Sequence, residues 1–289
     1  MHPNVLKRIK MIKKIIACAD IHIPQYKGIT ELKVILKEFL GKCEKIVKNE
    51  PENVRIVVLG DIFHTKTSIS NESIMCAHWF FSELDKLCKT YVIAGNHDFL
   101  MNNMDRLDSL TPLFEMGKYK QVIYLDKELG FKSGIYRDEN VAFCLYSSFD
   151  GFKTPDISMY KTAHENEEVS YVGLIHGDIN GAVSSTNYKT ERGLEPTLFG
   201  DCDFVMAGHI HRFQEIVGNG TPIVYCSSMK QQNMGESVIN HGFVVWDVSD
   251  YEYPEYKFHE IEDKDGGFYK FSLTKLEDLK EDKEEFINY

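Results

Sequence analysis

Five short apolar runs in this chain each end in residues that bind metal ions. They read KKIIACAD, VRIVVLGD, TYVIAGNHD, YVGLIHGD and DFVMAGHIH. Their ends supply Asp20 and His22, then Asp61, then Asn96 with His97 and Asp98, then His176, then His209 and His211. Carboxylate and amide oxygens are hard ligands and imidazole is borderline, a mixture that suits a pair of divalent transition-type ions. Taken singly the signals differ in weight. Asp-x-His is common in loops and Gly-Asp is ordinary turn chemistry. Gly95-Asn96-His97-Asp98 puts three polar residues where packing asks for none. His209 and His211 stand two apart on an extended segment and so point the same way.

These residues need a rigid rim. An apolar run of four to six residues closed by Gly or Asp reads as a buried strand. In open α/β sheets, ligands gather beyond the carboxyl ends of such strands. The first half alternates the two element types: strands at 14–19, 54–59 and 90–94, with helices near 29–48 and 70–88. The first helix carries Leu32, Ile35, Leu36, Phe39, Leu40 and Cys43 at helical spacing, the second Ile74, Ala77, Phe81, Leu84 and Leu87. These are βαβ units, which predict a largely parallel sheet. The second half is strand-rich, with candidates at 121–125, 141–146, 170–175, 203–207, 213–217, 222–226 and 242–248 and a hairpin turn at Gly218–Gly220. Residues 154–168 read as a short helix or excursion. The expected class is α/β, two packed sheets flanked by helices, with the ligands on loops along one edge.

The chain has 289 residues, 43% hydrophobic and 27% charged, enough for a full core. No stretch reaches the roughly 18 apolar residues of a membrane span, so no membrane partner is expected. The basic start runs directly into the first strand and lacks the apolar core of a signal peptide. Residues 1–10 read as an extension, with Met11 an alternative start. The seven cysteines are scattered and lack C-x-x-C spacing, which predicts reduced thiols in a cytoplasmic protein. Net charge is −11, and residues 252–289 hold −6 of it, so no basic footprint announces nucleic acid. A phosphodiester held mainly through metal remains compatible with that balance. Composition therefore divides the chain into the extension, a catalytic domain over 11–250 and an acidic appendage over 251–289. In the appendage, 251–273 can give two short strands. Leu273, Leu276, Leu279 and Phe286 then mark either a solvated terminal helix or a partner-binding one.

The order D-x-H, G-D, G-N-H-D, H, G-H-x-H resembles the calcineurin-like metallophosphoesterase superfamily over residues 14–211. The resemblance implies a four-layer α/β/β/α sandwich with two mixed sheets and a dinuclear centre. It implies Asp20, His22 and His211 on the first ion, Asp61 bridging, and Asn96, His176 and His209 on the second. Two ions about 3.5–4 Å apart repel, and a short carboxylate fixed on a tight turn suits the place between them. The resemblance makes His97 the residue that faces the scissile phosphate and serves the leaving oxygen, work that suits a histidine near neutral pH.

The second motif, GDIFHTKTSISNESI, lacks the Arg that protein Ser/Thr phosphatases carry after the bridging Asp. It resembles the SbcD-type DNA repair nucleases, which implies a catalytic role for His64 in placing the DNA backbone. The other reading of His64 is a capping or packing residue. A further run, GHIHRFQEI to TPIVYCSSMKQQNMGE and HGFVVWDV, is similar to the same subfamily. It departs at Cys226-Ser227-Ser228, where Pro-Gly-Ser is commoner. Only about forty residues follow this core, so any capping domain is small or absent. The implied cofactors are two divalent ions, Mn²⁺ first among them. The implied partners are DNA and an SbcC-like coiled-coil ATPase subunit, and a homodimer stays open. Lys66, Ser68, Phe99, Asn102, Asn103, Arg106, Tyr188, Lys189, Arg192 and Lys230 are candidate substrate contacts, with Phe99 able to stack on a base. The leading expectation is a Mn²⁺-dependent duplex exonuclease and single-strand endonuclease. The alternatives are a small-substrate phosphodiesterase or phosphatase, and an ATPase-recruiting scaffold with a vestigial site.

Overall fold

The computed structural model describes residues 11–103, 105–218, 220–263 and 266–268. The extension over 1–10 and the amphipathic segment 273–286 lie outside the described residues. Two mixed six-stranded sheets pack face to face. The first contains β1 (Lys14–Cys18), β2 (Val54–Leu59), β3 (Thr90–Ile93) and β4 (Val122–Tyr124) in parallel. The second is built on β5 (Gly134–Asp138), β6 (Val141–Tyr146), β7 (Ser170–His176), β8 (Phe204–Gly208), β9 (Gln214–Gly218) and β10 (Thr221–Tyr225). Within it β6, β7, β8 and β10 run parallel, and β5 and β9 close its edges antiparallel. The chain then returns to the first sheet, where β11 (Gly242–Asp247) pairs antiparallel with β1 and β12 (Glu255–Glu260) pairs with β11.

Burial on both faces explains the continuous apolar runs. Ile15 and Ala17 face the inter-sheet core with Val57, Leu59, Tyr91, Phe143, Val172, Phe204 and Trp246. Ile16 and Cys18 face the other way, onto α1 (Ile29–Val47) and α2 (Asn71–Leu87). The α1 stripe packs as its spacing predicts, with Leu32, Ile35, Leu36, Phe39 and Cys43 buried. In α2 the packed stripe is Ser73, Cys76, Ala77, Phe80, Phe81 and Leu84. Ile74 sits outside it and is exposed, contrary to the sequence expectation. The helix starts where the Ser70 hydroxyl accepts the Ser73 N–H, an N-cap.

Two short helices follow, α3 (Leu110–Gly117) and α4 (Leu125–Glu128), beside β4. The outer face of the second sheet is covered by α5 (Ile157–Ala163) and the turn of helix at Pro196–Phe199, through Ile157, Phe199, Tyr146 and Tyr225. Seven cysteines are free and buried. Among the described residues no helix is long and apolar enough to cross a membrane.

This topology sends the carboxyl ends of β1, β2, β3, β7 and β8 to one rim. At the opposite rim a charged cluster ties sheet to sheet. Arg55 Nε on β2 donates to Asp138 Oδ2 on β5 at 2.5 Å, Tyr91 Oη donates to the same oxygen at 2.6 Å, and Lys89 Nζ reaches Oδ1 at 3.1 Å.

Candidate metal centre

The predicted residues sit at or just past the ends of their strands, His176 as the last residue of β7, and at four of them the chain turns sharply. Asp20, His22, Asp61 and His209 adopt left-handed backbone, with φ of 54°, 49°, 52° and 99°. L-residues avoid that region, and such conformations persist where surrounding structure over-determines them. Neighbouring loops supply the constraint. The N–H of Asp20 donates to Gly60 O, and that of His22 to Asp61 O. Asp98, fully buried, accepts the N–H groups of Gly95, Ile62 and Phe63 and so fastens the third loop to the second. Two glycines permit the close approach. A Cβ on Gly95 would lie 2.2 Å from the nitrogen and Oδ1 of Asp61, and one on Gly208 would lie 2.4 Å from Leu59 O.

The side chains meet in two groups joined at Asp61. In the first, His22 Nε2 lies 3.0 Å from His211 Nε2. Asp20 Oδ1 is 3.6 Å from the His211 Nε2 and 3.9 Å from that of His22. In the second, His209 Nδ1 lies 2.7 Å and His176 Nε2 3.2 Å from Asn96 Oδ1. Asp61 Oδ2 stands between the groups, 3.6 Å from His22 Nε2 and 3.3 Å from His176 Nε2. Its Oδ1 accepts the His97 N–H at 2.7 Å. Asp20, His22 and His211 could hold one ion, and Asp61, His176 and His209 another. Asn96 Oδ1 adds an oxygen to the second group. His97 also converges with His22 and Asp61 closely enough to ligate.

The donor set fits divalent cations. Two buried carboxylates, an amide oxygen and four imidazoles converge, and among the described residues no Lys or Arg pairs with Asp20 or Asp61. Like-charged and polar groups gathered without water need a cation. Burial and neighbouring charge also set the protonation of these groups against one another. Burial works against ionised Asp61, yet His176, His22 and the His97 N–H hold it well below the usual carboxylate range. Burial also opposes charge on His176, but Asp61 lifts it to about 10. His22, with less compensation, is pushed well below its ordinary value by burial. Burial raises Asp20. Asp61 thus recruits positive charge from its nearest neighbour, the part an ion would play.

Three of the four imidazoles are oriented from behind. His176 Nδ1 lies 2.6 Å from Leu59 O, His209 Nε2 3.4 Å from Asp178 Oδ2, and His211 Nδ1 2.8 Å from Glu236 Oε1. Asp178 and Glu236 are absent from the sequence-predicted set. Asp178 stands in the HGD motif, but only the fold turns it toward His209. Glu236 lies far along the chain with no strand-end signal.

His97 and His64 share one side of the centre. The His97 Nδ1 lies 2.6 Å from the His64 carbonyl oxygen, which leaves Nε2 free. The His22 ring is 4.9 Å from that of His97 and 5.6 Å from that of His64, centroid to centroid. His64 is exposed at its edge, and partial desolvation on the side facing the cluster, then the neighbouring His97 and His211, lowers its pKa. The capping role considered for His64 falls to Ser70 instead. The remaining described histidines have structural partners: His78 with Tyr119, His164 with Tyr160 O, His241 with Ser228, and His259 stacked on Phe243. His2 lies outside the described residues.

Other contacts divide. Lys66 and Arg106 line an apolar cavity of about 570 Å³ beside the centre, between α2 and α3. Phe99 lines it too, but it is 3% exposed and stacks on Phe149 at 4.4 Å, so the expected base-stacking role is corrected to core packing. Tyr188, Lys189 and Arg192 are exposed on the loop after β7, and Lys230 is half-buried. The departure at Cys226-Ser227-Ser228 also has a local reason. Ser227 takes φ of 76°, a glycine-favouring value, and its hydroxyl is 2.9 Å from His211 O.

Comparison with known proteins adds the family. The description Calcineurin-like phosphoesterase matches residues 13–213. An uncharacterized protein of Acanthamoeba polyphaga mimivirus is 34% identical over 244 residues, which is 82% of this chain and 17% of that protein. The chain therefore spans a small part of that relative's length. A protein of Invertebrate iridescent virus 6 named as a phosphoesterase is 26% identical over 227 residues, 77% of this chain and 73% of that protein. Among solved structures, the phosphopantetheinyl hydrolase from Mycobacterium tuberculosis aligns with a TM-score of 0.43 at 12% identity, covering 76% of this chain and 90% of that one. An archaeal phosphodiesterase aligns with a TM-score of 0.37 at 14% identity, covering 86% and 98%. The family match spans every strand end that bears a candidate ligand, and the chain belongs to the calcineurin-like phosphoesterases, metal-dependent hydrolases of phosphate esters.

Proposed function

We propose that the protein is a Mn²⁺-dependent DNA nuclease, cutting duplex ends as an exonuclease and single strands as an endonuclease, in complex with a coiled-coil ATPase. Asp20, His22 and His211 would hold one ion, Asn96, His176 and His209 the other, and Asp61 would serve both. Two such ions supply a nucleophile at neutral pH and neutralise charge on the phosphoryl oxygens. His97, anchored through Nδ1 on the His64 carbonyl, presents Nε2 to the leaving oxygen and holds the proton that oxygen takes up. His64, at the open side of the same cluster, orients the phosphodiester backbone. The observation that carries the nuclease reading is the placing of His64, from a second motif that lacks a monoester-gripping Arg, beside the rings of His97 and His22.

The test is cleavage of an end-labelled linear duplex by purified protein with Mn²⁺, alone and with its ATPase, with EDTA and His97→Ala as controls. Degradation that both controls abolish is expected. Intact DNA in every mixture, alongside turnover of small phosphoesters, would replace this reading with a second one. That reading is a small-substrate phosphodiesterase or phosphatase, favoured by the net charge of −11.

A further inference from the structure

Glu236 is a buried acid with an unusual concentration of donors. Its side chain is 3% exposed. Oε1 lies 2.8 Å from His211 Nδ1 and accepts from Asn233 Nδ2 at 2.6 Å. Oε2 accepts the Gln232 N–H at 2.7 Å. The carboxylate is therefore locked from several sides, and one of its contacts is the back of a candidate metal ligand. The segment around it is wrapped on the same residue: Ser227 Oγ lies within hydrogen-bonding reach of His211 O, and Gln231 Nε2 donates to Glu236 O at 2.9 Å.

The other imidazoles lack such a partner. Among the described residues, buried His22 Nδ1 has no hydrogen-bond partner. His176 Nδ1 faces a neutral carbonyl, Leu59 O. His209 faces Asp178, but at 3.4 Å and with an exposed carboxylate. His211 alone of the four backs onto a buried carboxylate at full hydrogen-bond distance.

We infer that Glu236 is a positioning residue of the metal centre. It accepts the Nδ1–H of His211, fixes the tautomer that leaves the Nε2 lone pair facing Asp20 and His22, and makes that nitrogen a stronger donor to the ion. Carboxylates in this place behind a ligating histidine set ring orientation and basicity, and their loss costs about 10–100-fold in metal affinity. The effect is confined to one of the two ions, because His176, His209 and Asn96 do not touch Glu236. The inference rests on His211 being a ligand, as proposed above, and the experiment separates the two.

Mn²⁺ binding isotherms, read from the free-ion EPR signal, are recorded for the wild type, Glu236→Gln and His211→Ala. The apo melting temperature of each is measured alongside. Glu236→Gln keeps the shape but removes the negative charge behind the ring, and its single oxygen leaves at least one of the donors His211, Asn233 and Gln232 without an acceptor. We expect one of two sites to weaken about 10–100-fold in this variant with the other unchanged, and apo melting close to wild type. His211→Ala loses one site. Glu236→Gln isotherms within twofold of wild type, with a site lost in His211→Ala, overturn the inference alone. Both sites intact in His211→Ala overturn the ligand reading and the inference together. An equal fall at both sites with depressed apo melting assigns Glu236 to the scaffold and overturns the positioning role. A second measurement needs no variant. In ¹⁵N-histidine protein loaded with diamagnetic Zn²⁺, His211 Nδ1 should report as the protonated nitrogen, and an unprotonated Nδ1 refutes the proposal.

Discussion

Arg55 and Asp138 join the two sheets through a buried ion pair, Nε to Oδ2 at 2.5 Å with both side chains 6% exposed, and the more exposed Lys89 reaches the other carboxylate oxygen at 3.1 Å. The pair lies at the rim opposite the metal centre. Removing Asp138 leaves the Arg55 charge buried without its carboxylate, which costs about 3–5 kcal/mol. Asp138→Ala should lower unfolding stability by that amount in urea titrations. Replacing Arg55 and Asp138 together with Met and Leu should recover most of it. A single-variant loss below about 1 kcal/mol would show that the clamp is not structural.

The same pair sets an acid limit. Burial opposes the Asp138 charge, but hydrogen bonds from Arg55 and Tyr91 and the Arg55 and Lys89 charges hold its pKa below the usual value. A carboxyl depressed in the folded state contributes stability that is fully present above its unfolded pKa of about 3.9. That contribution is lost as pH falls through the folded pKa. Stability measured from pH 6 down to pH 2 should therefore fall less steeply in the Met/Leu double variant than in wild type. Parallel curves would remove Asp138 from the acid response.

His97 and His209 should separate chemistry from metal binding. If the proposed function holds and the His97 ring serves the leaving oxygen without ligating, His97→Ala should reduce hydrolysis by about 10²–10⁴-fold while retaining both ions. His209→Ala should lose an ion and activity together. Metal content by atomic emission, measured beside the rate, decides it. Wild-type metal content in His209→Ala would remove it from the ligand set.

Gly95 is fixed by contact distance. Gly95→Ala would drive a methyl to 2.2 Å from the backbone nitrogen of Asp61, and neither loop can retreat without moving its ligands. Overpacking of this kind costs typically about 1–3 kcal/mol. A lowered melting temperature with loss of metal is expected. A variant that binds two ions normally would show that the loops can part.

Ions that bind only the folded chain stabilise it by mass action, about 2.7 kcal/mol at a hundred times Kd. Melting with Mn²⁺ and with EDTA should differ accordingly, and the difference should shrink in His209→Ala.

Much of this was legible because strand ends and chemistry coincide here. β1, β2, β3, β7 and β8 are buried on both faces and read as apolar runs, and their polar exits are the candidate ligands. The missed elements lack that contrast. β5 is GIYRD, a half-buried edge strand, and α3 and α4 span only eight and four residues. Ile74 was assigned to the packed face of α2, but the stripe through Ser73 and Cys76 turns it outward. Glu236 ends the TPIVYCSSMKQQNMGE run that the resemblance singles out, but nothing local in that run points it at a metal ligand. Its partner His211 is 25 residues away, and only the wrapping of the 227–241 segment brings them together.

Asp20, His22, Asp61 and His209 hold backbone conformations that glycine would adopt without steric cost. Each therefore sits where stability and chemistry pull in opposite directions. A lineage released from metal chemistry would drift at these turns first, and toward glycine. Gly60, Gly95 and Gly208 would stay, since contact distance and not ligation holds them. Decay of the enzyme would be written as added glycines in an otherwise intact sandwich, and the folded body would outlast its reaction.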